Sequence, residues 1–504
     1  MFSNVFCAHI YGMEARIIQI EADISDGLPV FHMVGYLSSA VREAKERVNS
    51  AIRNAGIRFP AKKIVMNFSP ADIRKEGTAF DLPISISLLA AFGYIPVDML
   101  SHYLIVGELG LNGKIRPIKG ILPMVLEAKR NGFQACLIPF ENAIEGGSVE
   151  GINVFGVRTL CEVIGFFRGT VSLQTTNVEW KRGEAETNRL CFSDVYGQQS
   201  AKKALEIATA GMHNILLMGP PGTGKTMLAK RIPTIMPPLS RSESEEVTKI
   251  YSICGMLKEN QSMITERPFR NPHHTIPPSA LIGGGVNPKP GEITLANGGV
   301  LFLDEFLEFK HTTIELLRQP MEERKIIVSR QNVSYEYPCN MMVVAASNPC
   351  KCGFFPNTKK CSCSPKDIRQ YMQRASHAIL DRIDLHAQTI SSEYIHSDEK
   401  GEKSTEIQKR VESARIIQEK RYQKDGIYYN AQMSPKQIEK YCKLGKEQQD
   451  FIEFVYQKEN CSIRGLHRML RVARTISDLN GGGQITMEQL TLAVKLHTRV
   501  RMDF

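Results

Sequence analysis

The sequence predicts an α/β protein in three compositional regions, built around a parallel sheet. Three observations predict it. A glycine-rich loop, Gly219-Pro220-Pro221-Gly222-Thr223-Gly224-Lys225-Thr226, lies between an apolar run and a helix-like stretch. Two further apolar runs, Val300–Leu303 and Met341–Ala346, each end in polar side chains. From about residue 391 the chain is highly charged, with apolar residues at helical spacing.

Residues 1–170 alternate strand-like and helix-like runs, such as the strand-like 15–21 and 63–67 and the helical 40–56. The apolar stretch Leu82–Leu100 is interrupted by Pro83, Ser85, Ser87 and Asp98, so a buried helix explains it better than a membrane span. Residues 171–190, polar and holding the sole tryptophan, Trp180, read as a linker. Residues 191–390 form the α/β unit. In 391–504, Ile407, Val411, Ala414 and Gln418 mark a helix packed on one face. A length of 504 residues suggests about three domains.

The formal net charge of +10 suits a polyanion such as nucleic acid without demanding one. No basic-then-apolar leader is present, so secretion is not expected and the cytoplasm is the default compartment. Twelve cysteines in such a chain point to reduced thiols or a metal site rather than a disulfide framework.

The loop Gly219–Thr226 fits G-x-x-x-x-G-K-[ST]. Its glycines let backbone N–H groups turn toward phosphates at a helix start expected to run through 227–232. Lys225 is expected to reach the β- and γ-phosphates of ATP, and Thr226 to ligate Mg²⁺. In Leu303-Asp304-Glu305, two acids end a central strand. Asp304 would hold Mg²⁺ and Glu305 would orient the attacking water. Asn348, ending the third apolar run, would hydrogen-bond the γ-phosphate or that water.

These residues carry a resemblance to magnesium-chelatase-like AAA+ proteins of the ComM/YifB type. The matching stretches are 267–275, 288–293, the Asp304 strand, 347–350 and 380–385. The resemblance implies a P-loop AAA+ core with a helix-2 insert and a helical C-terminal lid. It also implies a homo-hexamer with nucleotide between subunits. Arg382 matches an arginine finger that reaches a neighbour's γ-phosphate. The competing reading pairs it with Asp381 or Asp384. Arg464 matches the second sensor arginine, or is an ordinary N-terminal helix residue. Val195 and Tyr196 match the segment beside the adenine, or are plain packing. Gly283–Gly285 and Pro288–Leu295 resemble the insert hairpin. Within it Lys289 is either a contact to a phosphate backbone or a surface lysine with no role. His273 and His274 read as structural, since adjacent side chains point apart.

Cys350, Cys352, Cys361 and Cys363 place four thiols in one loop, either a structural zinc knuckle or free thiols. Stretches 75–83 and 106–118 resemble the proteolytic domain of Lon. Ala79 falls where Lon has its serine and Leu122 where it has its lysine, so the resemblance implies a Lon-like α+β domain without protease activity.

Two functions follow as expectations. The first is an ATP-hydrolysing ring motor acting on single-stranded or branched DNA, in branch migration during recombination or natural transformation. The second is a magnesium-chelatase subunit coupling ATP use to metal insertion into a porphyrin. No membrane partner is expected.

Overall fold

The computed structural model describes residues 1–182, 190–285, 288–330, 333–390, 401–458 and 461–498. The chain forms two compact units: Met1–Arg182 with Ser240–Ile264, and Gly183–Leu239 with Thr265–Phe504.

The first unit is built on a seven-stranded mixed sheet, in the order Val30–Val34, Lys63–Ser69, Glu14–Ser25, Phe2–Tyr11, Tyr103–Ile105, Ala135–Pro139 and Asn153–Val157. Along Glu14–Ser25, Ala15, Ile18, Ile20, Ala22 and Ile24 are buried. Helix Asp81–Ala91 is buried at every position, but it takes up only the first part of the apolar stretch Leu82–Leu100: the chain leaves the helix after Ala91, and Val97 and Met99 are exposed. Each of its large aliphatic side chains contributes roughly 1.5–3 kcal/mol on leaving water. Its first residue, Asp81, is buried too, and Arg47 closes on it with two hydrogen bonds of 2.8 Å. Burial raises the Asp81 carboxyl above the usual range, and the Arg47 pair opposes that rise.

The expected linker begins within this unit: Thr176 N–H donates to Val154 O at 2.8 Å and Val178 N–H to Gly147 O at 2.9 Å. Residues 183–189 of that linker lie outside the described residues. Helix Arg241–Cys254, inside the stretch 191–390 expected to form one domain, also groups here. Ser240 and Glu243 form a capping box at its start. At its far end Ser252 O accepts from Gly120 N–H at 3.1 Å, while its hydroxyl donates to the buried Glu145.

The second unit holds a five-stranded parallel sheet, in the order Phe269–Arg270, Val300–Leu303, Met342–Ser347, Ile215–Met218 and Leu385–Gln388. Val300–Leu303, Met342–Ser347 and Ile215–Met218 are buried throughout and run nearly unbroken in apolar residues, as strands covered on both faces must, while the edge strand Leu385–Gln388 alternates apolar and polar residues. In Ser404–Tyr422 the positions Ile407, Val411, Ala414 and Gln418 are all buried. Helices Gln199–Gly211 and Ile463–Leu479 pack with it. Buried Asp478 accepts from Arg421, Arg474 and Asn430, so its charge is fully answered.

Two hairpins leave this sheet region. Gly283–Gly284 pairs antiparallel with Lys289–Pro290, and Lys325–Arg330 with Val333–Pro338. The second was not foreseen from sequence.

Candidate nucleotide site

Strand Ile215–Met218 delivers the chain into the loop Gly219–Gly224. Gly219 N–H donates to Ser347 O at 3.2 Å, tying the loop to the neighbouring strand. A Cβ at Gly219 would lie 2.2 Å from Thr389 Oγ1, so no larger residue fits. Gly224 adopts φ +82°, the left-handed conformation open to glycine. Helix Lys225–Ala229 follows, and a 3₁₀ turn at Ile232–Ile235 replaces its expected continuation. Pro233 accounts for the break, since it has no N–H to continue the helical ladder.

The loop walls a cavity of about 430 Å³ together with Asp304, Glu305, Ala346, Ser347 and Asn348. Its lining runs from Pro221 through Gly222, Thr223, Gly224, Lys225 and Thr226 to Met227. Lys225 Nζ donates to Gly219 O (2.6 Å), Pro220 O (2.9 Å) and Asn348 Oδ1 (3.1 Å). Burial lowers its ammonium from 10.5 to about 8, opposed by the charge of Asp304. Thr226 Oγ1 donates to Asp304 Oδ2 at 2.8 Å. These two oxygens at the cavity wall are the hard donors that Mg²⁺ takes, so the residues fit that ion.

Glu305 is exposed and sits at φ +52°. A non-glycine residue held there costs roughly 1–3 kcal/mol, and such strain gathers at functional sites. The conformation brings Glu305 N–H to 3.0 Å from Asp304 Oδ1. Its carboxylate meets His274 Nδ1 at 3.1 Å. His274 thus sits beside the site, a placement the structural reading of the His273-His274 pair did not reach. Thr389 was also missed, although its hydroxyl meets Thr223 Oγ1 at 2.7 Å. Nothing local in the sequence marks either contact.

The remaining sequence-derived residues lie elsewhere in the unit. Arg382 pairs with Glu322 at 2.8 Å, not with Asp381 or Asp384, and donates to Ala378 O at 2.5 Å. Arg464 meets the same Glu322 at 3.5 Å. Neither arginine lines the cavity, and neither do Val195 and Tyr196. Val195 is buried in the core with its carbonyl accepting from Lys202, while Tyr196 is exposed. Cys350, Cys352, Cys361 and Cys363 converge so that their sulfurs all lie within 4.8 Å of one another, the single such group of His, Cys, Asp and Glu among the described residues.

Comparison with known proteins places this geometry. Three family descriptions match in order: subunit ChlI of Mg-chelatase over residues 20–142, magnesium chelatase subunit ChlI over 191–396, and its C-terminal part over 401–497. Competence protein ComM of Haemophilus influenzae is 39% identical over 497 residues, spanning 97% of this chain and 96% of its own. The chain belongs to the magnesium-chelatase-like ComM/YifB family. YifB of Escherichia coli is 40% identical over 489 residues, 96% of this chain and 94% of that one. Lon protease 2 of Bacillus subtilis is 30% identical over 128 residues, 25% of this chain and 22% of its own. Family membership implies ATP and Mg²⁺, in keeping with the loop, the cavity and the Thr226–Asp304 pair. Among the described residues, no helix is long and apolar enough to cross a membrane.

Proposed function

We propose that this chain is an ATP-hydrolysing ring motor that acts on DNA. The observation that carries the reading is the convergence of Lys225, Thr226, Asp304, Glu305 and Asn348 on one cavity, in a chain matching a competence protein along nearly its whole length.

The residue roles follow from what each side chain holds in the free chain. The three contacts of Lys225 are carbonyl and amide oxygens, which β- and γ-phosphate oxygens can replace. Burial disfavours its charge until an anion arrives, so phosphate binding restores the full ammonium. The N–H groups of 222–225 supply neutral donors to the same anion. Thr226 and Asp304 would hold Mg²⁺, which when bound neutralises charge on the β- and γ-phosphates. Glu305 accepts a proton from, and so orients, the water that attacks the γ-phosphorus. Asn348 bridges Lys225 and the γ-phosphate end. Val195 and Tyr196 belong to the segment that the adenine would approach.

Arg382 and Arg464 lie off their own cavity, which suits arginines serving a neighbour's γ-phosphate in a homo-hexamer. On this reading Gly283–Gly285 and Pro288–Leu295 make the insert hairpin, with Lys289 contacting the DNA backbone. Residues 391–504 form the helical lid, of which 391–400, 459–460 and 499–504 are outside the described residues. The first unit is a Lon-like domain without protease chemistry, because Ala79 and Leu122 offer neither nucleophile nor base. The four-thiol loop is a structural zinc site.

The test is ATP turnover with and without single-stranded or branched DNA, joined to strand displacement. Stimulation and displacement are expected, and electron microscopy should show a six-membered ring that forms or tightens with nucleotide. Turnover indifferent to every form of DNA would remove the DNA assignment. A second reading is a chelatase-type subunit driving metal insertion into a porphyrin, favoured by the three ChlI-type matches. ATP-dependent magnesium insertion on adding chelatase partner subunits would select it.

A further inference from the structure

The thiol loop begins two residues beyond Asn348. Three of its sulfur pairs are resolved as contacts: Cys350–Cys352 at 3.4 Å, Cys350–Cys361 at 3.8 Å and Cys352–Cys361 at 3.5 Å. A tetrahedral zinc with Zn–S near 2.3 Å needs S···S edges of about 3.8 Å. The loop therefore already approximates the tetrahedron. All four cysteines are unoxidised, Cys350 is fully buried, and Lys351, Lys359 and Lys360 flank the set with positive charge.

This loop also touches the phosphate loop. Gly353 N–H donates to Cys350 O at 3.0 Å, making a tight turn inside the thiol set. Gly353 takes φ +84°, and a Cβ placed on it would lie 2.5 Å from Pro221 Cδ and 3.7 Å from Asn348 Cγ. The turn's bare backbone is therefore seated on the Pro221 ring of the phosphate loop and beside the Asn348 amide. Asn348 in turn accepts from Lys225 at 3.1 Å. Two contact routes run from the thiols to the cavity through the same turn: Cys350–Gly353–Pro221, and Cys350–Gly353–Asn348–Lys225.

The geometry points to a zinc-held clip on the phosphate loop: zinc bound by Cys350, Cys352, Cys361 and Cys363 fixes the Gly353 turn against Pro221 and Asn348, and so sets the affinity for ATP. This deepens, and rests on, the reading of the cavity as a nucleotide site. Without the ion, the loop 350–363 has few apolar side chains to hold its shape, and its support behind the lining residues Pro221 and Asn348 loosens. A metal that orders a wall before the nucleotide arrives lowers the ordering cost of binding.

The experiment uses the full chain, measuring zinc content and the affinity for a fluorescent ATP analogue. Wild type should carry one zinc per chain. Cys361→Ser/Cys363→Ser should lose it and bind the analogue about tenfold more weakly, with an unchanged circular dichroism spectrum. Gly353→Ala should keep its zinc yet show a similar loss, because the methyl group pushes on Pro221. Wild type without zinc after growth and refolding in zinc, or with iron in its place, overturns the site. A zinc-free double variant, or a zinc-loaded Gly353→Ala, that binds the analogue as tightly as wild type overturns the clip. If the double variant does not fold, Gly353→Ala alone decides. Zinc-loaded wild type with no affinity for the analogue would instead overturn the nucleotide reading, and the clip with it.

Discussion

The polar groups around the second unit's cavity and the buried acids of the first unit serve opposite ends. In the second unit Lys225, Thr226, Asp304 and Asn348 are partnered by one another and by loop carbonyls, all at the wall of one cavity. A phosphate or a cation can take over each of those bonds. In the first unit the buried acids are closed on protein. Asp81 is answered by Arg47 and by Leu109 N–H at 3.3 Å, and Glu145 by Leu122 N–H at 2.9 Å and by Ser252. Burying a polar group costs free energy in both places. What separates a site from a strut is whether open space lies beyond the group, and burial alone does not tell them apart.

The comparison can be broken most easily where the largest effect is expected. If the cavity works between neighbours, Arg382→Ala should lower ATP turnover by on the order of 10³-fold, while affinity for the ATP analogue stays near wild type. Mixing it with Lys225→Ala chains should restore part of the activity, because each supplies what the other lacks. Equal loss without rescue on mixing would place Arg382 in a purely structural role. Glu305→Gln should bind ATP and lower turnover about 10²-fold or more. Normal turnover would remove Glu305 from the reaction.

The first unit is expected to resist the reverse change. Ala79→Ser with Leu122→Lys should give no ATP-dependent casein degradation. It should also lower thermal stability by about 2 kcal/mol or more, because Leu122 is fully buried. Casein cleavage by that variant would show the unit is a protease lacking only two side chains. The smallest effect is in pH. Lys225 titrates near 8 in the free chain because burial disfavours its charge. The ammonium that phosphate needs is present below that value and lost above it. Analogue affinity should thus be full below pH 8 and fall by up to about tenfold per unit above it, with Lys225→Arg flattening the fall. A flat wild-type profile from pH 7 to 9.5 would contradict this.

Much of this was readable in the chain itself. The apolar strands and the glycine loop stand out because burial on both faces and a phosphate turn each impose a local pattern. The helical face Ile407, Val411, Ala414 and Gln418 is buried as its spacing predicts. What escaped was long-range. Glu322 gathers Arg382 and Arg464 from positions 60 and 142 residues away along the chain, and no local periodicity encodes that. His274 reaches Glu305 across 31 residues. The hairpin Lys325–Pro338 was legible in principle, since Ile326, Val328 and Tyr337 form its buried side. Its alternation was overshadowed by the motifs on either side. The capping box at Ser240 was likewise visible as S-x-x-E, but not the core its helix would join.

That helix limits how the gene can be divided. Because Ser240–Ile264 departs from and returns to the sequence of the other unit, no single cut yields two complete halves. A fragment ending at Arg182 would leave Glu145 facing a gap in place of the Ser252 hydroxyl. Isolating the first unit calls for splicing the helix back on through a designed connection.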